Sequence, residues 1–186
     1  MKFKVLKFNN DIYLCFFLFS VFKDKLIQFY KKKQSTVPLS PLVQETSTPL
    51  TGFYVMPEMD LVKQTDLTRH QEEKIRVQSL SDLLITGSDE MQEIYLSADA
   101  GFGKTSFSKY IAIAWSQACF PDKNRKSFTD EEIKALSNFD FLFLILLRDC
   151  TNVCSVDDMI EQQIIKKLSG SQYPIQEILD REKCLI

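Results

Sequence analysis

One eight-residue stretch of the chain has the residue types and spacing of a phosphate-binding loop. Residues 98–105 read Ala-Asp-Ala-Gly-Phe-Gly-Lys-Thr, which matches the pattern G-x-x-x-x-G-K-S/T except that Ala98 replaces the first glycine. Alanine fits there if its φ angle is negative. The dinucleotide pattern G-x-G-x-x-G fails, because the stretch that begins at Gly101 ends in Ser106. The stretch therefore predicts a triphosphate site, with a simple glycine turn before a helix as the alternative.

Each position of this loop has a task around a triphosphate. Gly101 and Gly103 permit positive φ angles and close approach, so that successive amides turn inward. Lys104 reaches the β- and γ-phosphates, and Thr105 places its hydroxyl on Mg²⁺. A helix that starts near Gly103 points its positive end at the anion. The predicted binding residues are Ala98, Asp99, Ala100, Gly101, Phe102, Gly103, Lys104, Thr105 and Ser106.

Strands and helices alternate around the loop. Residues 93–97 (Glu-Ile-Tyr-Leu-Ser) predict a short strand, and residues 103–118 predict a helix with one apolar face. Residues 141–147 are apolar throughout, which is typical of a strand in a parallel sheet that helices cover on both sides. Because the chain ends soon afterwards, we also expect one edge of the 141–147 strand to lie uncovered.

Two capping signals and a final apolar stretch complete this pattern. Thr129 with Glu132 predicts a capping box, and Ser155 with Asp158 likewise predicts the start of a helix. Residues 183–186 look like the beginning of a third strand. The order strand, helix, strand, helix, strand predicts an α/β domain over residues 93–186 with right-handed crossovers.

Three segments precede this domain. Residues 1–34 predict a basic, apolar N-terminal helix, residues 35–60 a linker rich in proline, serine and threonine, and residues 61–92 a mostly helical pre-domain segment. The apolar run at 12–22 is shorter than the roughly 20 residues that cross a bilayer, and no small-x-small cleavage site follows it. A buried helix, or the apolar start of a longer sequence, is therefore favoured over a secretion signal.

Composition and charge indicate an ordinary globular chain and give no case for a nucleic-acid-binding, zinc-binding or disulfide-stabilised protein. Hydrophobic residues make up 45% and charged residues 26% of the 186, values of an ordinary globular chain. The net charge of −2 gives no case for nucleic-acid binding, although residues 1–34 hold eight lysines and only two acids. Five cysteines and the single, distant His70 form neither a zinc pattern nor a disulfide framework. A reducing, cytoplasmic location follows.

The residues around the loop form a wider pattern. Residues 97–105 are followed by Ile113-Ala114-Trp115-Ser116 in the next helix and by an apolar strand at 138–149 that ends in Leu-Arg-Asp. Together they resemble the NACHT family of STAND-class P-loop ATPases, found in NOD-like innate-immune receptors. The resemblance runs from about Glu93 to Ile186, and the proline-rich stretch upstream also looks like leaders seen before NACHT domains.

This resemblance implies a three-layer α/β/α P-loop NTPase with a parallel sheet, truncated after the start of its third strand and preceded by a helical and extended leader. It also implies ATP or ADP with Mg²⁺ as cofactors, Thr105 as the metal ligand, and protein partners or self-association in the full-length receptor. Membrane binding is not implied. Tyr54 and Val55 are expected near the adenine, as leaders are in this family.

The chain departs from the family at its end. The Walker B acids that follow the third strand are absent, so hydrolysis is expected to be slow or missing. Asp149, Asp157 and Asp158 are assigned to caps or solvated faces rather than to magnesium, and Arg148 to the end of a strand.

Three functions fit these observations. The first is an ATP-binding switch module, at most a slow ATPase. The second is a non-enzymatic interaction or membrane-associated module that uses the basic N-terminus and keeps only a vestigial nucleotide site. The third, a small kinase or GTPase, is weaker because the chain contains no Asn-Lys-x-Asp guanine motif.

Overall fold

The computed structural model describes residues 10–40, 43–63, 73–84, 93–150, 153–168 and 173–186. The helices are α1 Asn10–Lys33, α2 Leu80–Leu84, α3 Lys104–Cys119, α4 Asp130–Leu136, α5 Val156–Gln163 and α6 Ile175–Arg181. The strands are β1 Thr36–Ser40, β2 Val43–Pro49, β3 Met59–Lys63, β4 Glu73–Val77, β5 Phe141–Leu142 and β6 Cys184–Leu185. Short 3₁₀ turns lie at Leu50–Gly52, Lys123–Ser127, Leu147–Asp149 and Ile165–Lys167.

Helix α1 is a buried part of the core. The apolar side chains Phe22, Leu26 and Tyr30 follow one another at intervals of four and are fully buried on one face. Three lysines occupy the last turn, where their positive charges interact favourably with the negative end of the helix dipole. The predicted helix is therefore confirmed over Asn10–Lys33, and its burial is confirmed from Phe19 onward, whereas Phe17 is exposed. Within the described residues, no helix combines the length and apolarity that crossing a bilayer requires.

The segment predicted as a linker forms a hairpin. Strands β1 and β2 pair antiparallel, from Thr36 opposite Pro49 to Ser40 opposite Val43. The extended conformation expected from the prolines is present. Because the two extended segments pair with each other, however, the prediction of a linker is wrong. Prolines are tolerated here because each strand of a two-stranded sheet has one edge that needs no backbone donor.

The prediction of a mostly helical segment over residues 61–92 is wrong where the structure describes them. Strands β3 and β4 pair antiparallel from Met59 opposite Val77 to Lys63 opposite Glu73, and only α2 is helical. In β4, Ile75 and Val77 alternate with charged residues, which is the two-residue period of a strand. Residues 64–72 and 85–92 lie outside the described residues.

Helix α3 confirms the helix predicted after the loop and packs against α1. The rings of Tyr30 and Trp115 meet edge to face with centroids 6.2 Å apart. Trp115 is fully buried, and its indole N–H donates to the carbonyl of Phe139 at 3.0 Å. The predicted capping box is also confirmed, since Thr129 accepts from the amide of Glu132 while the Glu132 carboxylate accepts from the amide of Thr129.

A short parallel pair lies beside these helices. Phe141 of β5 stands opposite Cys184 of β6, and Leu142 stands opposite Leu185. This confirms a strand at the position predicted for residues 183–186, and it is the one parallel pairing among the described residues, in a sheet of two strands. The predicted strand at 141–147 is shorter than expected, because the last ladder hydrogen bond is the one from the amide of Phe143 to the carbonyl of Leu185, and the chain then reaches a 3₁₀ turn at Leu147–Asp149.

The outer edge of this β5 segment is covered, contrary to the expectation of an open edge. The hydroxyl of Tyr30 donates to the carbonyl of Leu142 and accepts from the amide of Leu144, both at 2.9 Å. The side-chain amide of Gln163 pairs with both backbone groups of Leu146, at 2.9 and 2.8 Å. Side chains from α1 and α5 therefore satisfy the backbone groups that a neighbouring strand would otherwise take.

Candidate functional site

The loop at residues 98–103 turns on two glycines with left-handed backbone conformation. Gly101 has a φ angle of +86° and Gly103 of +85°, which confirms the positive φ angles predicted for this loop. A Cβ atom added at either glycine would meet no heavy atom within 4 Å. The need for glycine is therefore conformational and does not come from crowding.

Helix α3 begins directly after the loop with amide donors that no side chain caps. Gly103 is the N-cap residue and makes no side-chain hydrogen bond. Because the amide of Phe107 is bonded to the carbonyl of Gly103 at 2.8 Å, the amides of Lys104, Thr105 and Ser106 precede the first intrahelical bond. The first turn, all of it described, contains no acidic side chain. The positive end of this 16-residue helix is therefore open to an anion.

The side chain of Lys104 folds back over the loop. Its Nζ donates to the carbonyl of Asp99 at 2.9 Å and also to the carbonyl of Ala98. Both acceptors are neutral, whereas a phosphate oxygen carries charge and makes a stronger hydrogen bond with an ammonium group. A bound phosphate would thus replace two carbonyl acceptors of Lys104 by an anionic one.

The remaining predicted residues lie on the same loop and first turn. Thr105 is exposed and Ser106 is half-buried, and the exposed loop residues are Ala98, Asp99, Ala100, Gly101 and Phe102. The residues fit an anion, since they supply free amides, an ammonium group and no carboxylate in the first turn. For Mg²⁺ the fit is limited to the Thr105 hydroxyl, because the described residues contain no group of three His, Cys, Asp or Glu that could hold a metal ion.

The segment before the loop differs from its prediction. Residues 93–97 form no strand, and all five are exposed. A strand needs a hydrogen-bonded neighbour, and the structure pairs β6 with β5 alone among the described strands. The loop is therefore anchored on α3 at its C-terminal end and is not embedded in a sheet at the other.

The acids and the arginine downstream have structural roles. The hydroxyl of Ser155 donates to Asp158 at 2.6 Å and accepts from its amide, which confirms the predicted start of α5. The Ser155 hydroxyl and helix amides lower the pKa of Asp157. Arg148 lies in the 3₁₀ turn Leu147–Asp149 and not at the end of a strand, so that prediction is wrong. It forms an exposed ion pair with Asp149 at 3.9 Å. The expectation of caps and solvated faces is confirmed for these acids.

A buried aromatic cluster behind α3 was missed by sequence reasoning. The rings of Tyr54 and Tyr110 stack with centroids 4.1 Å apart, and the hydroxyl of Tyr110 donates to the buried carboxylate of Glu132 at 2.9 Å. Burial raises the pKa of Tyr54 to about 12, and the charge of Glu132 adds to the effect. Tyr110 lies about 9 Å along the axis of α3 from Lys104, so Tyr54 contacts the helix at that distance from the loop. Val55 is exposed. No local signal marks a pair so distant in sequence.

An apolar cavity of about 430 Å³ lies between the loop-bearing helix and the parallel pair. Its walls come from residues 94 and 96, α2, α3, the 142–147 segment, α5 and β6. Ser108 is the one hydroxyl among side chains that are otherwise all apolar. The cavity therefore offers one side-chain hydroxyl and no charged side chain with which to hold a nucleotide.

Comparisons with known proteins find no match: neither a protein-family model, nor a curated protein, nor a solved structure is similar to this chain.

Proposed function

We propose that the chain binds the phosphates of ATP or ADP through residues 98–106 and acts as a nucleotide-dependent switch module of the NACHT type. The observation that carries this proposal is the position of Lys104 above a loop with two left-handed glycines, directly before an uncapped helix N-terminus. Positive charge, free amides and positive φ angles together make an anion site.

We propose binding with slow or absent hydrolysis. Phosphoryl transfer depends on positioning and on metal electrostatics. Thr105 supplies one hydroxyl for Mg²⁺, and the described residues add no cluster of acidic side chains to it. In this proposal the cellular setting is the cytoplasm, and the nucleotide state controls contacts with protein partners or with further copies of the chain.

The alternative, a membrane-associated module, has less support from the structure. It rests on the basic, apolar N-terminus, yet α1 buries Phe19, Phe22, Leu26, Ile27 and Tyr30 in the core and leaves Phe17 exposed. An apolar face already used for folding is not free to enter a lipid surface.

The test is isothermal titration calorimetry of the full chain with ATP and Mg²⁺, comparing Lys104→Ala with Lys134→Ala. Lys134 is exposed on α4 and provides a control for the loss of one positive charge. We expect Lys104→Ala to weaken binding at least about tenfold, since it removes a charge-assisted contact of roughly 1.5–3 kcal/mol. Equal affinities of the two variants would overturn the proposal.

A further inference from the structure

The parallel pair has one closed edge and one open edge. On the β6 side of the pair, the amides of Phe141 and Phe143 donate to the carbonyls of Lys183 and Leu185. Alternate residues of a strand direct their backbone groups to opposite edges, so those of Cys184 face away from β5. No strand among the described residues occupies that edge. By contrast, the outer edge of the β5 segment is closed by Tyr30 and Gln163.

Residues 93–97 already alternate as a strand would. Ile94 and Leu96 line the apolar cavity together with Leu185 and Ile186, whereas Tyr95 between them does not. The exposed fractions agree, at 85% for Tyr95 against 47% for Ile94 and 37% for Leu96. A period of two along a short segment is strand geometry. The segment therefore turns its apolar side toward a cavity next to an unpaired strand.

We propose that residues 93–97 close onto the open edge of β6 as a third strand when a phosphate group draws Lys104 away from the carbonyls of Ala98 and Asp99. This inference rests on the proposed function. The closed strand buries Ile94 and Leu96 in the cavity and gives the backbone of Cys184 a hydrogen-bonding partner.

The coupling between loop and strand runs through Lys104. Ala98 and Asp99 directly follow residues 93–97. The two hydrogen bonds from Lys104 hold their carbonyls in the conformation that the loop has without a phosphate. A phosphate that takes over the ammonium group releases these carbonyls, so the end of the segment is free to change direction. Ligand binding and strand closure then favour each other by the same free energy.

Hydrogen exchange of the full chain, resolved by residue with NMR, tests the closure. We expect ATP with Mg²⁺ to slow exchange at residues 93–97 and at Cys184 by about tenfold or more, because new ladder hydrogen bonds protect those amides. AMP lacks the phosphates that Lys104 would reach, so it should slow nothing.

The outcomes separate the two proposals. Calorimetric binding of ATP without any change in exchange overturns the strand closure and leaves the nucleotide site intact. Absence of ATP binding overturns both. Equal slowing by AMP, or slow exchange before any ligand is added, overturns the coupling through Lys104.

Two neighbouring substitutions provide a matched comparison. Leu96→Asp places a carboxylate on the cavity side, whereas Tyr95→Asp places one on the solvent side. We expect Leu96→Asp to abolish the ATP-dependent protection and to weaken ATP binding at least about fivefold, the lower end of ordinary coupling between sites. Tyr95→Asp should keep both. Equal effects of the two substitutions would contradict the closure.

Discussion

The hydroxyl of Tyr30 donates a 2.9 Å hydrogen bond to the carbonyl of Leu142, which lies 112 residues further along the chain. The same hydroxyl accepts from the amide of Leu144. Burial raises the pKa of Tyr30, and the bond from Leu144 offsets part of that effect. The phenol therefore stays neutral at ordinary pH, as a group that both donates and accepts must. A helix near the N-terminus thus completes the edge of a segment near the C-terminus.

Tyr30→Phe tests this bridge. The substitution leaves the carbonyl of Leu142 and the amide of Leu144 without their partner, so we expect a loss of about 1–3 kcal/mol in the free energy of unfolding. Urea denaturation followed by circular dichroism measures it. Tyr95→Phe, at an exposed position, should change stability by less than about 0.5 kcal/mol. Equal midpoints for both variants would show that the bridge contributes nothing.

Gly103→Ala tests the backbone conformation of the loop. Alanine at a φ angle of +85° is strained, and we expect a loss of about 1–2 kcal/mol of stability together with weaker ATP binding. Gly52→Ala is the control, since the φ angle of Gly52 is not positive and a Cβ added there would have space. Thermal melts with and without ATP measure both effects. Unchanged behaviour of Gly103→Ala would mean that the loop does not need its left-handed turn.

Asp122→Asn tests an ion pair between α1 and the N-cap of the 3₁₀ turn that follows α3. Burial raises the pKa of Asp122, but hydrogen bonds from Lys31, at 2.8 Å, and from Asn124 and Gln117 outweigh it, so the pKa is lowered. Since the side chain is 33% exposed, we expect the substitution to cost only about 0.5–1 kcal/mol.

The stability difference between wild type and Asp122→Asn depends on pH, and the direction of the pKa shift of Asp122 decides how. A lowered pKa means that the stabilisation is present above the unfolded value of 3.8 and is lost as the pH falls through the folded value. Urea titrations of wild type and Asp122→Asn should therefore differ at neutral pH and converge below pH 3.8. A constant difference at all pH values would rule out the charge as its source.

Two cysteines should differ in reactivity. Burial, aided by the charges of Asp140 and Glu182, raises the pKa of Cys184 to about 12, whereas Cys154 is exposed. Because the thiolate is the reactive form, iodoacetamide at neutral pH should modify Cys154 well before Cys184, as peptide mass spectrometry would detect. Denaturation should remove the difference. Modification of both at one rate in the folded chain would contradict the burial of Cys184.

Local signals in the sequence predicted local structure well. The spacing of Thr129 and Glu132 specified a capping box, because each partner lies within one helical turn of the other. The glycines of the loop predicted positive φ angles for a similar reason, since only the backbone of the residue itself decides them. Helix α3 and the start of β6 also followed from short apolar patterns.

Long-range pairings were the part that the sequence did not predict. The alternation of charged and apolar residues in β4 did not predict a strand, because five residues are too few to distinguish the period of a strand from that of a helix. Residues 93–97 have strand propensity but no partner strand, and propensity alone does not form a ladder. The closure of the β5 segment by Tyr30 and Gln163 depends on tertiary contacts that no pattern marks.

Trp115 is the single tryptophan of the chain, and it is fully buried where α1 meets α3. Its intrinsic fluorescence consequently comes from one location, with the ring of Tyr30 only 6.2 Å away as an energy donor. Undocking of α1 should shift the indole emission to longer wavelength and abolish the transfer from Tyr30. The protein thus carries a native optical probe of whether its N-terminal helix is in place.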